Sequence, residues 1–443
     1  MKKTYIRRFW KFYQQLIPPA LAGYARKEGK NTFTRRRKMP LEDILLCCLA
    51  KKGLTAVMEL LSYARRKGAA QMAISKQGYL KQRKNLNPEV FTCLNHCYLE
   101  DFYSSGEAGT WNGYLLPAAD GSKAEIPNSA GNKKTFGCAH NQNTKEGVAR
   151  ALVSGLYGLI NGFFIGIQVS AVNTSENSMA KKNLLQPGEA GITQPVLVLF
   201  DRGYPSLEFI NFLEKNGIHY IFRLASNDYA REREGMETED GFVDIKHDRY
   251  RMGHIKKKHP ESYREMEEKG STRARVIKSR PPSGQGTAML TDLPAVFTSS
   301  QVTGLYFKRW GIETKYNTLK NKIKFESVTG NAPIYVYQDF YAQVLAYNMV
   351  QDIRRCADTS AGEAGRQKGL KHPVKTNENI AIGLFKERMV KIILEGDHYR
   401  QALMLSQLQK DMEKHVVPER EVPGRERKKN KANKYCINQK YSF

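Results

Sequence analysis

The sequence has no apolar run of about 18 residues, the length at which an α-helix can cross a lipid bilayer. Its first residues, MKKTYIRRFWKFYQQ, also lack the apolar segment that lies at the centre of a secretory signal peptide. We therefore expect neither a membrane partner nor secretion. The chain is expected to work in the cytoplasm.

Paired cysteine motifs are missing too. The seven cysteines are at positions 47, 48, 93, 97, 138, 356 and 436, and no two have CxxC spacing. This predicts neither a disulfide framework nor a zinc site, and Cys93 and Cys97 could hold a metal only with distant ligands. Buried, reduced thiols are expected instead. The P-loop motif GxxxxGKS/T is also absent, which argues against a nucleotide-driven motor.

Negative charge is scarce. The chain has 71 Lys and Arg against 44 Asp and Glu, a formal net charge of +27. Such an excess predicts a polyanionic partner, with nucleic acid first and an anionic membrane surface second. Residues 1–40 hold twelve Lys or Arg, among them the run Arg35, Arg36, Arg37 and Lys38. This segment is interpreted as a phosphate-binding arm or a basic helix, and the basic tail from Pro418 is expected to be disordered until it meets DNA.

The length of 443 residues predicts two or three domains, at about 150 residues per domain. Helical spacing of apolar residues begins at Leu41, and Ser75 can cap a further helix that Asn87 and Pro88 end. The short helices here resemble a helix-turn-helix, and an ordinary helical bundle is an equally good interpretation. Their cationic residues are Lys76, Lys81, Arg83 and Lys84.

From Tyr114 onward the pattern changes to strands. YLLPAAD predicts a strand that ends in Asp120, and the segments on either side of Asn161-Gly162 predict a hairpin with a type I′ turn. A short helix follows from about Glu176 to Leu185, and the strand PVLVLF then leads to Asp201. Pro205 begins the next helix, Gly217 ends it, and IHYIFRL predicts another strand.

Residues 225–299 form a polar interval that ends in the alternating segment GTAMLTDL. A structureless interval of this length inside a compact domain would be unusual, so we predict an inserted subdomain that contains strands. Beyond residue 330, YVYQDFYAQVLAYNMVQDIRR and NIAIGLFKERMVKIILEG predict helices.

The stretch LYFKRWGIETKYNTLKNKIKF, from Leu305 to Phe325, predicts one amphipathic helix. At about 100° per residue, five residues fall within about 60° of one another, whereas Lys315 faces the opposite side. These five are Tyr306, Arg309, Glu313, Lys320 and Lys324. An apolar stripe that includes Ile312 and Tyr316 would dock the helix on a core.

The spacing of Tyr306, Arg309, Glu313 and Lys320 resembles the Tyr-Arg-Glu-Lys signature of the insertion-sequence-four family of bacterial DDE transposases. The segments LPAADGS and VLFDRGY add to the resemblance, although Gly-Ser follows the first Asp where Gly-Thr is common in the family. The predicted order of strands and helices is that of the ribonuclease H-like fold. We therefore expect an α/β ribonuclease H-like catalytic core with a β-rich insertion, a helical N-terminal DNA-binding region and a helical C-terminal region. The expected units are residues 1–105 (DNA-binding), 106–224 (first part of the core), 225–299 (insertion), 300–360 (final core helices) and 361–443 (C-terminal region and tail).

The resemblance also implies roles for single residues. Asp120, Asp201 and Glu313 would be the catalytic carboxylates and would hold two Mg²⁺ ions, for which Mn²⁺ could substitute; hard cations of this kind prefer carboxylate oxygens. The residues expected to contact DNA are Tyr306, Arg309, Lys320, Lys324 and Arg202. The expected partners are double-stranded DNA, as transposon ends and target, and a second copy of the chain on paired ends. The expected location is the bacterial nucleoid.

Other interpretations of the carboxylates remain. Each acid alone is readily explained structurally: Asp120 by a turn, Asp201 by a strand end, Glu313 by a salt bridge. A retaining glycosidase would need a sugar-binding platform that the sequence does not provide, and a charge of +27 does not suit a neutral substrate. Two alternatives stay open: a catalytically inactive DNA-binding derivative and a structure-specific nuclease of the same fold.

Overall fold

The computed structural model describes residues 3–16, 19–34, 38–69, 71, 74–141, 144–279 and 286–419. The cationic run Arg35–Arg37 and the basic tail after residue 419 lie outside the described residues. The helices are α1 (Thr4–Leu16), α2 (Pro19–Ala25), α3 (Leu41–Leu49), α4 (Ala56–Lys67), α5 (Lys76–Arg83), α6 (Glu89–Tyr103), α7 (Ala130–Phe136), α8 (Glu176–Glu189), α9 (Leu207–Lys215), α10 (Ala230–Glu234), α11 (Arg249–Lys258), α12 (Pro260–Lys269), α13 (Ser299–Lys308), α14 (Trp310–Asn317), α15 (Pro333–Gln367), α16 (Glu378–Leu394) and α17 (His398–Glu413).

A mixed sheet lies at the centre of the fold. The strands are β1 (Pro117–Glu125), β2 (Cys138–Asn141), β3 (Thr144–Gly158), β4 (Phe164–Ala171), β5 (Leu197–Phe200), β6 (His219–Leu224), β7 (Asp240–Lys246), β8 (Ser271–Ser279), β9 (Thr287–Thr291), β10 (Val374–Thr376) and β11 (Val416–Pro418). Within the described residues, β1 to β9 form one sheet, in which β4 and β1 flank β3 and the order continues β1-β5-β6-β9-β8-β7. Strands β1, β5 and β6 are parallel, and the other pairings are antiparallel. The predicted succession of three strands, helix, strand, helix and strand is present, with α7 and β2 added after β1.

The hairpin of β3 and β4 forms as predicted, but its turn differs. Of the Asn161-Gly162 pair only Gly162 has a positive φ, +78°, whereas a type I′ turn requires positive φ at both residues. The connection is a wider loop, in which the Gly162 N–H donates to the carbonyl of Gly158 at 2.7 Å. The Asn161 side chain instead bonds to both backbone groups of Gly109, at 2.8 and 3.0 Å.

The interval 225–299 holds both strands and helices. Its strands β7, β8 and β9 do not form a sheet of their own, because β9 pairs with β6 and extends the central sheet. Helices α11 and α12 lie between β7 and β8, and α12 packs against α9. The insertion is therefore continuous with the core and is α/β rather than only β-rich.

The predicted helix of residues 305–325 is not regular to its end. It is formed by α13 and α14, which meet at Arg309, and by a π-helical turn over Thr318–Lys322. In that turn the Ile323 N–H donates to the Thr318 carbonyl, a step of five residues instead of four. Lys324 lies beyond the turn with φ +62°, so the helical-wheel position predicted for it is wrong.

The 35-residue helix α15 joins the N-terminal and C-terminal helices into one body. It packs against α3, α6, α16 and α17 as well as β4. Buried ion pairs reinforce these contacts: Arg8 of α1 binds Asp352, and Arg83 of α5 binds Asp339 at 2.7 Å. Because Arg83 is fully buried, it cannot serve as the DNA-contacting cation that the helix-turn-helix interpretation proposed.

Two hydrophobic clusters cover the two faces of the sheet. One contains residues of α14, α15 and the N-terminal helices, and the other contains residues of α8, α9 and the insertion. No helix among the described residues is long and apolar enough for a bilayer. The six cysteines in the described part of the chain have free thiols; Cys47, Cys48 and Cys356 are buried as expected, whereas Cys93, Cys97 and Cys138 are partly exposed.

Candidate active site

The first two carboxylates follow from the pairing of β1 with β5. These strands are parallel, with Ala118 opposite Leu199 and Ala119 opposite Phe200. Continuing the register by one residue places Asp120 beside Asp201, on strands about 4.8 Å apart. Strand β5 ends at Phe200 while β1 continues to Glu125, so β1 has an open edge next to the two acids.

Alternation along the strands decides which face the acids share. Ala118 and Leu199 belong to the hydrophobic cluster that also contains Ile312 of α14. Because side chains alternate with a period of two, Asp120 and Asp201 point to this same side. Helix α14 carries Glu313 there, and the apolar residues predicted to dock the helix, Ile312 and Tyr316, are buried.

Arg309 connects the acids. Its Nη2 atom donates to Glu313 Oε1 at 3.1 Å and lies 3.8 Å from Asp201 Oδ1. Its Nε atom donates to the Tyr306 hydroxyl at 3.2 Å, and that hydroxyl donates to Asp201 Oδ1, also at 3.2 Å. The Arg309 side chain is 3% exposed, against 36% for Asp201 and 41% for Glu313. A buried cation thus lies below a partly exposed group of carboxylates.

Asp120 is the most perturbed acid of the site. Its pKa is raised from 3.8 to about 6, chiefly by burial and also by the charges of Glu313 and Glu176. The Gly121 N–H, which donates to Asp120 Oδ1 at 2.9 Å, and the charge of Arg309 act in the opposite direction. The protein therefore stabilises the charged form of Asp120 less than water does.

Tyr316 is a site residue that the sequence assigned only to the apolar stripe. Its hydroxyl donates to the backbone carbonyl of Asp120 at 2.9 Å and thereby ties α14 to β1. The close approach depends on Gly155, because an added Cβ there would lie 2.9 Å from the Tyr316 hydroxyl. A tyrosine in an otherwise aliphatic stripe was the available signal.

The remaining predicted DNA contacts lie outside this hydrogen-bonded group. Lys320 Nζ donates to the carbonyl of Lys123 on β1 at 2.7 Å and is 3.5 Å from Glu326. Lys324 lies against the loop of Gly53, where an added Cβ would be 2.9 Å from the Lys324 Cβ. Arg202 is exposed in the turn after β5. The structure therefore brings together the acids, Tyr306 and Arg309, and not the three other cations.

The residues present fit a divalent cation. Within the described ranges no group of three or more His, Cys, Asp or Glu side chains is already arranged around an ion position. The donor set is nevertheless made of carboxylates, the ligands that Mg²⁺ prefers. Burial, and after it the charges of Glu313 and Glu176, raises the pKa of Asp120, and a bound cation would favour its charged form. Arg309 Nη1 is also buried without a hydrogen-bond partner, so the guanidinium has donor capacity to spare for an anionic ligand.

Comparison with known proteins places these residues in a family. A search of curated proteins found no match. Among solved structures, a piggyBac transposase in a synaptic complex with hairpin DNA, determined by cryo-EM, matches with a TM-score of 0.42 and 11% identity, over 95% of this chain and 84% of that chain. The family model described as the transposase DDE domain matches residues 112–349, more than half of the chain, and this range contains Asp120, Asp201 and Glu313. The chain therefore belongs to the transposase DDE domain family.

Proposed function

We propose that this transposase binds the terminal inverted repeats of an insertion sequence, cleaves DNA strands there in a metal-dependent reaction, and joins the resulting 3′-hydroxyl to target DNA. The observation that carries the proposal is that Arg309 and Tyr306 link Asp201 and Glu313, beside the β1 strand that carries Asp120. Asp120, Asp201 and Glu313 are the proposed catalytic residues and metal ligands.

The finer classification rests on topology and spacing. The strands β4-β3-β1-β5-β6 have the order of a ribonuclease H-like sheet, and α14 brings the third acid to the edge where β5 ends. The Tyr306, Arg309, Glu313 and Lys320 spacing supports the insertion-sequence-four family with its Tyr-Arg-Glu-Lys signature. We infer a bacterial protein that acts at the nucleoid.

Each residue of the site has a proposed task. Two Mg²⁺ ions, or Mn²⁺ in their place, would supply charge neutralisation for the attacking and leaving oxygens of the phosphodiester. Asp120, Asp201 and Glu313 hold the cations through carboxylate oxygens. Arg309 orients Asp201 and Glu313 through its guanidinium, and its spare Nη1 donor can bind a phosphate oxygen. Tyr316 holds the backbone of Asp120 in register with α14.

DNA would reach the acids across cationic surfaces. Lys320, Lys324 and Arg202 are proposed phosphate contacts around the site. A cavity of about 1050 Å³ lies on the α8 side of the sheet, between the N-terminal ends of α8 and α9 and the helices α10 and α11. The cationic residues that line this cavity are Lys181, Lys182, Arg231, Arg251 and Lys258. Phosphate contacts of this kind position DNA without reading its sequence.

Two other functions use the same residues. An inactive DNA-binding derivative would not need all three carboxylates, whereas Asp120, Asp201 and Glu313 are all present in this chain. A structure-specific nuclease of the same fold would cleave and then release its product.

We also propose a homodimer on paired ends, because two ends must recombine together. Sizing of the protein with end duplexes should show two protomers per complex, and one protomer per complex during cleavage would contradict this.

The deciding experiment incubates the purified full chain with duplexes of its own element's ends, Mg²⁺ and a supercoiled target plasmid. We expect a new 3′-hydroxyl at the element end and a covalent product joined to the plasmid. The Glu313→Gln protein is the matched control and should yield neither product. Cleavage without joining would favour the nuclease, and DNA binding without cleavage would favour the inactive derivative.

A further inference from the structure

A fourth carboxylate lies next to the three acids. Glu176 is the first residue of α8 and is exposed, and it forms no ion pair with the described residues. Its position relative to β1 is close: a Cβ added to Gly121 would be 3.0 Å from both Cδ and Oε1 of Glu176. The Glu176 carboxylate therefore packs directly on the residue that follows Asp120.

The chain anchors this end of α8 to the turn after Asp201. The Asn177 amide donates to the carbonyl of Tyr204 at 3.2 Å and to the Ser206 hydroxyl at 3.4 Å. Glu176 is thus carried on a helix end that is tied to the loop of another site acid. An acidic first residue is also favoured by the helix dipole, but the dipole alone does not require contact with Gly121 or attachment to this loop.

Tyr204 adds an independent observation. Its hydroxyl is buried close to the Glu176 carboxylate, yet it makes no hydrogen bond of normal geometry within the described part of the chain. Burial raises the pKa of Tyr204, and the charges of Glu176 and Asp120 raise it further. The buried Tyr204 hydroxyl thus lies beside the Glu176 carboxylate without a well-formed hydrogen bond to it. A ligand or its bound water could complete the hydrogen bonding of this hydroxyl.

Acidic side chains lie on both sides of β1. Asp120 and Glu313 lie on the α14 side, whereas the Cβ direction of Gly121 and the contact with Glu176 lie on the α8 side. Because β5 ends at Phe200, no described strand pairs with this edge of β1 at Gly121; farther along, Lys320 donates to the Lys123 carbonyl and the Glu125 N–H donates to Glu326. Carboxylates on both sides of the edge at Gly121 would surround a hydrated cation there.

We propose that Glu176 is a fourth carboxylate of the metal site and strengthens the hold on a divalent cation at the edge of β1, with the Tyr204 hydroxyl as its neighbour. This inference rests on the proposed metal-dependent function. It adds a residue from α8 to the three acids of β1, β5 and α14.

The test measures Mn²⁺ binding to the full chain without DNA, by electron paramagnetic resonance of the free ion. Glu176→Gln should weaken Mn²⁺ binding about tenfold, the size of effect seen when a supporting group of a metal site is removed. The matched control is Glu189→Gln, an equal change at the exposed far end of the same helix, about 20 Å away at 1.5 Å per residue. It should leave the affinity unchanged.

Asp120→Asn separates the two hypotheses. If Asp120→Asn weakens Mn²⁺ binding and Glu176→Gln does not, the role of Glu176 is overturned while the proposed function stands. If Asp120→Asn leaves Mn²⁺ binding as in the wild type, the metal-dependent function itself fails.

A second variant moves the Glu176 carboxylate without changing its charge. Gly121→Ala introduces the Cβ that would collide with the flexible end of Glu176, so the fold is preserved and the carboxylate is displaced. We expect weaker Mn²⁺ binding, and little additional loss when Gly121→Ala is combined with Glu176→Gln. An equal loss in both backgrounds would assign the effect to Asp120 and overturn the proposal.

Discussion

The Nη2 atom of Arg309 lies 3.1 Å from Oε1 of Glu313, and the arginine is buried while the glutamate is partly exposed. The guanidinium therefore contacts the acids from the protein interior. Its Nη1 atom has no hydrogen-bond partner among the described residues. A planar fork can bond several oxygens at once, which a lysine ammonium cannot do in the same geometry. Arg309 is in this respect a positioning residue for the carboxylates as well as a proposed contact for phosphate.

The first prediction concerns Arg309. Arg309→Lys keeps the charge but loses the fork, so cleavage should fall at least about tenfold. Arg309→Leu also removes the charge that lowers the pKa of Asp120, so activity should begin at a higher pH than in the wild type. Single-turnover cleavage rates from pH 5.5 to 8.5 measure both effects. Lys308→Ala, at an exposed position one residue earlier, is the control. A wild-type rate and pH profile for Arg309→Leu would disprove the role.

The second prediction concerns the three acids. Asp120→Asn, Asp201→Asn and Glu313→Gln should each abolish strand cleavage, because an amide keeps the shape of the side chain but binds a hard cation poorly. Binding of end duplexes should remain within a few-fold of the wild type, as measured by fluorescence anisotropy in the absence of metal. Full cleavage by any one of the three variants would remove that residue from the catalytic set.

The third prediction concerns pH. The pKa of Asp120 is about 6 in the folded protein against 3.8 as its ordinary value, so the folded state binds more protons between these values. Stability should therefore fall as the pH rises through this window. Without metal, Asp120→Asn should be more stable than the wild type by about 1–3 kcal/mol at pH 7.5, and the difference should vanish towards pH 4. Denaturant titrations of both proteins in EDTA provide the measurement. A constant difference at all pH values would contradict the raised pKa.

The fourth prediction concerns Lys320. Its bond to the Lys123 carbonyl places it on β1 beyond Asp120, where a phosphate near the cleaved end can replace that carbonyl as acceptor. Lys320→Ala should reduce end-complex formation and cleavage together, as seen in gel-shift and cleavage assays. Lys308→Ala removes the same charge from an exposed position of α13 and should have a much smaller effect. Equal damage by the two variants would show that only total charge matters.

The fifth prediction concerns the net charge of +27. Affinity for DNA should fall steeply with salt, with a log–log slope of about −0.9 for each phosphate contact. Removal of residues 420–443 should reduce the slope without unfolding the protein, because this segment begins after the last described strand, β11. Binding isotherms at 50 to 300 mM salt give the slope. A flat dependence would point to a partner other than DNA.

Several features could be predicted from the sequence because they depend on short-range geometry. The strands that carry Asp120 and lead to Asp201 follow from apolar runs, but the predicted strand end at Asp120 is wrong, because pairing with β3 continues β1 to Glu125. Ser75 caps α5 as expected, accepting from the Gly78 N–H at 3.2 Å. The buried apolar stripe of α14 follows from helical periodicity. These signals are local, so no knowledge of neighbouring segments was needed.

Other features were missed for identifiable reasons. The π-helical turn at Thr318–Lys322 changes the angular step, so the wheel misplaced Lys324. Lys315, which faces away from Glu313 on the wheel, is no neutral control position, because it bonds to Glu378 at 2.6 Å and is largely buried. In the hairpin loop, the two hydrogen bonds between the Asn161 side chain and the backbone of Gly109 outweighed the local preference for a type I′ turn.

The sequence by itself determined the chemistry that the chain carries: three acids at strand and helix positions, the spacing of Tyr306 and Arg309 before Glu313, and the large positive charge. Only the tertiary structure decided how these groups meet. The Tyr306 hydroxyl reaches Asp201 across 105 residues, Tyr316 reaches the Asp120 carbonyl across 196, and Glu176 lies against Gly121. The physical reason is that periodicity along one element is set by backbone geometry, whereas contacts between distant elements are set by the packing of the two hydrophobic clusters around the sheet.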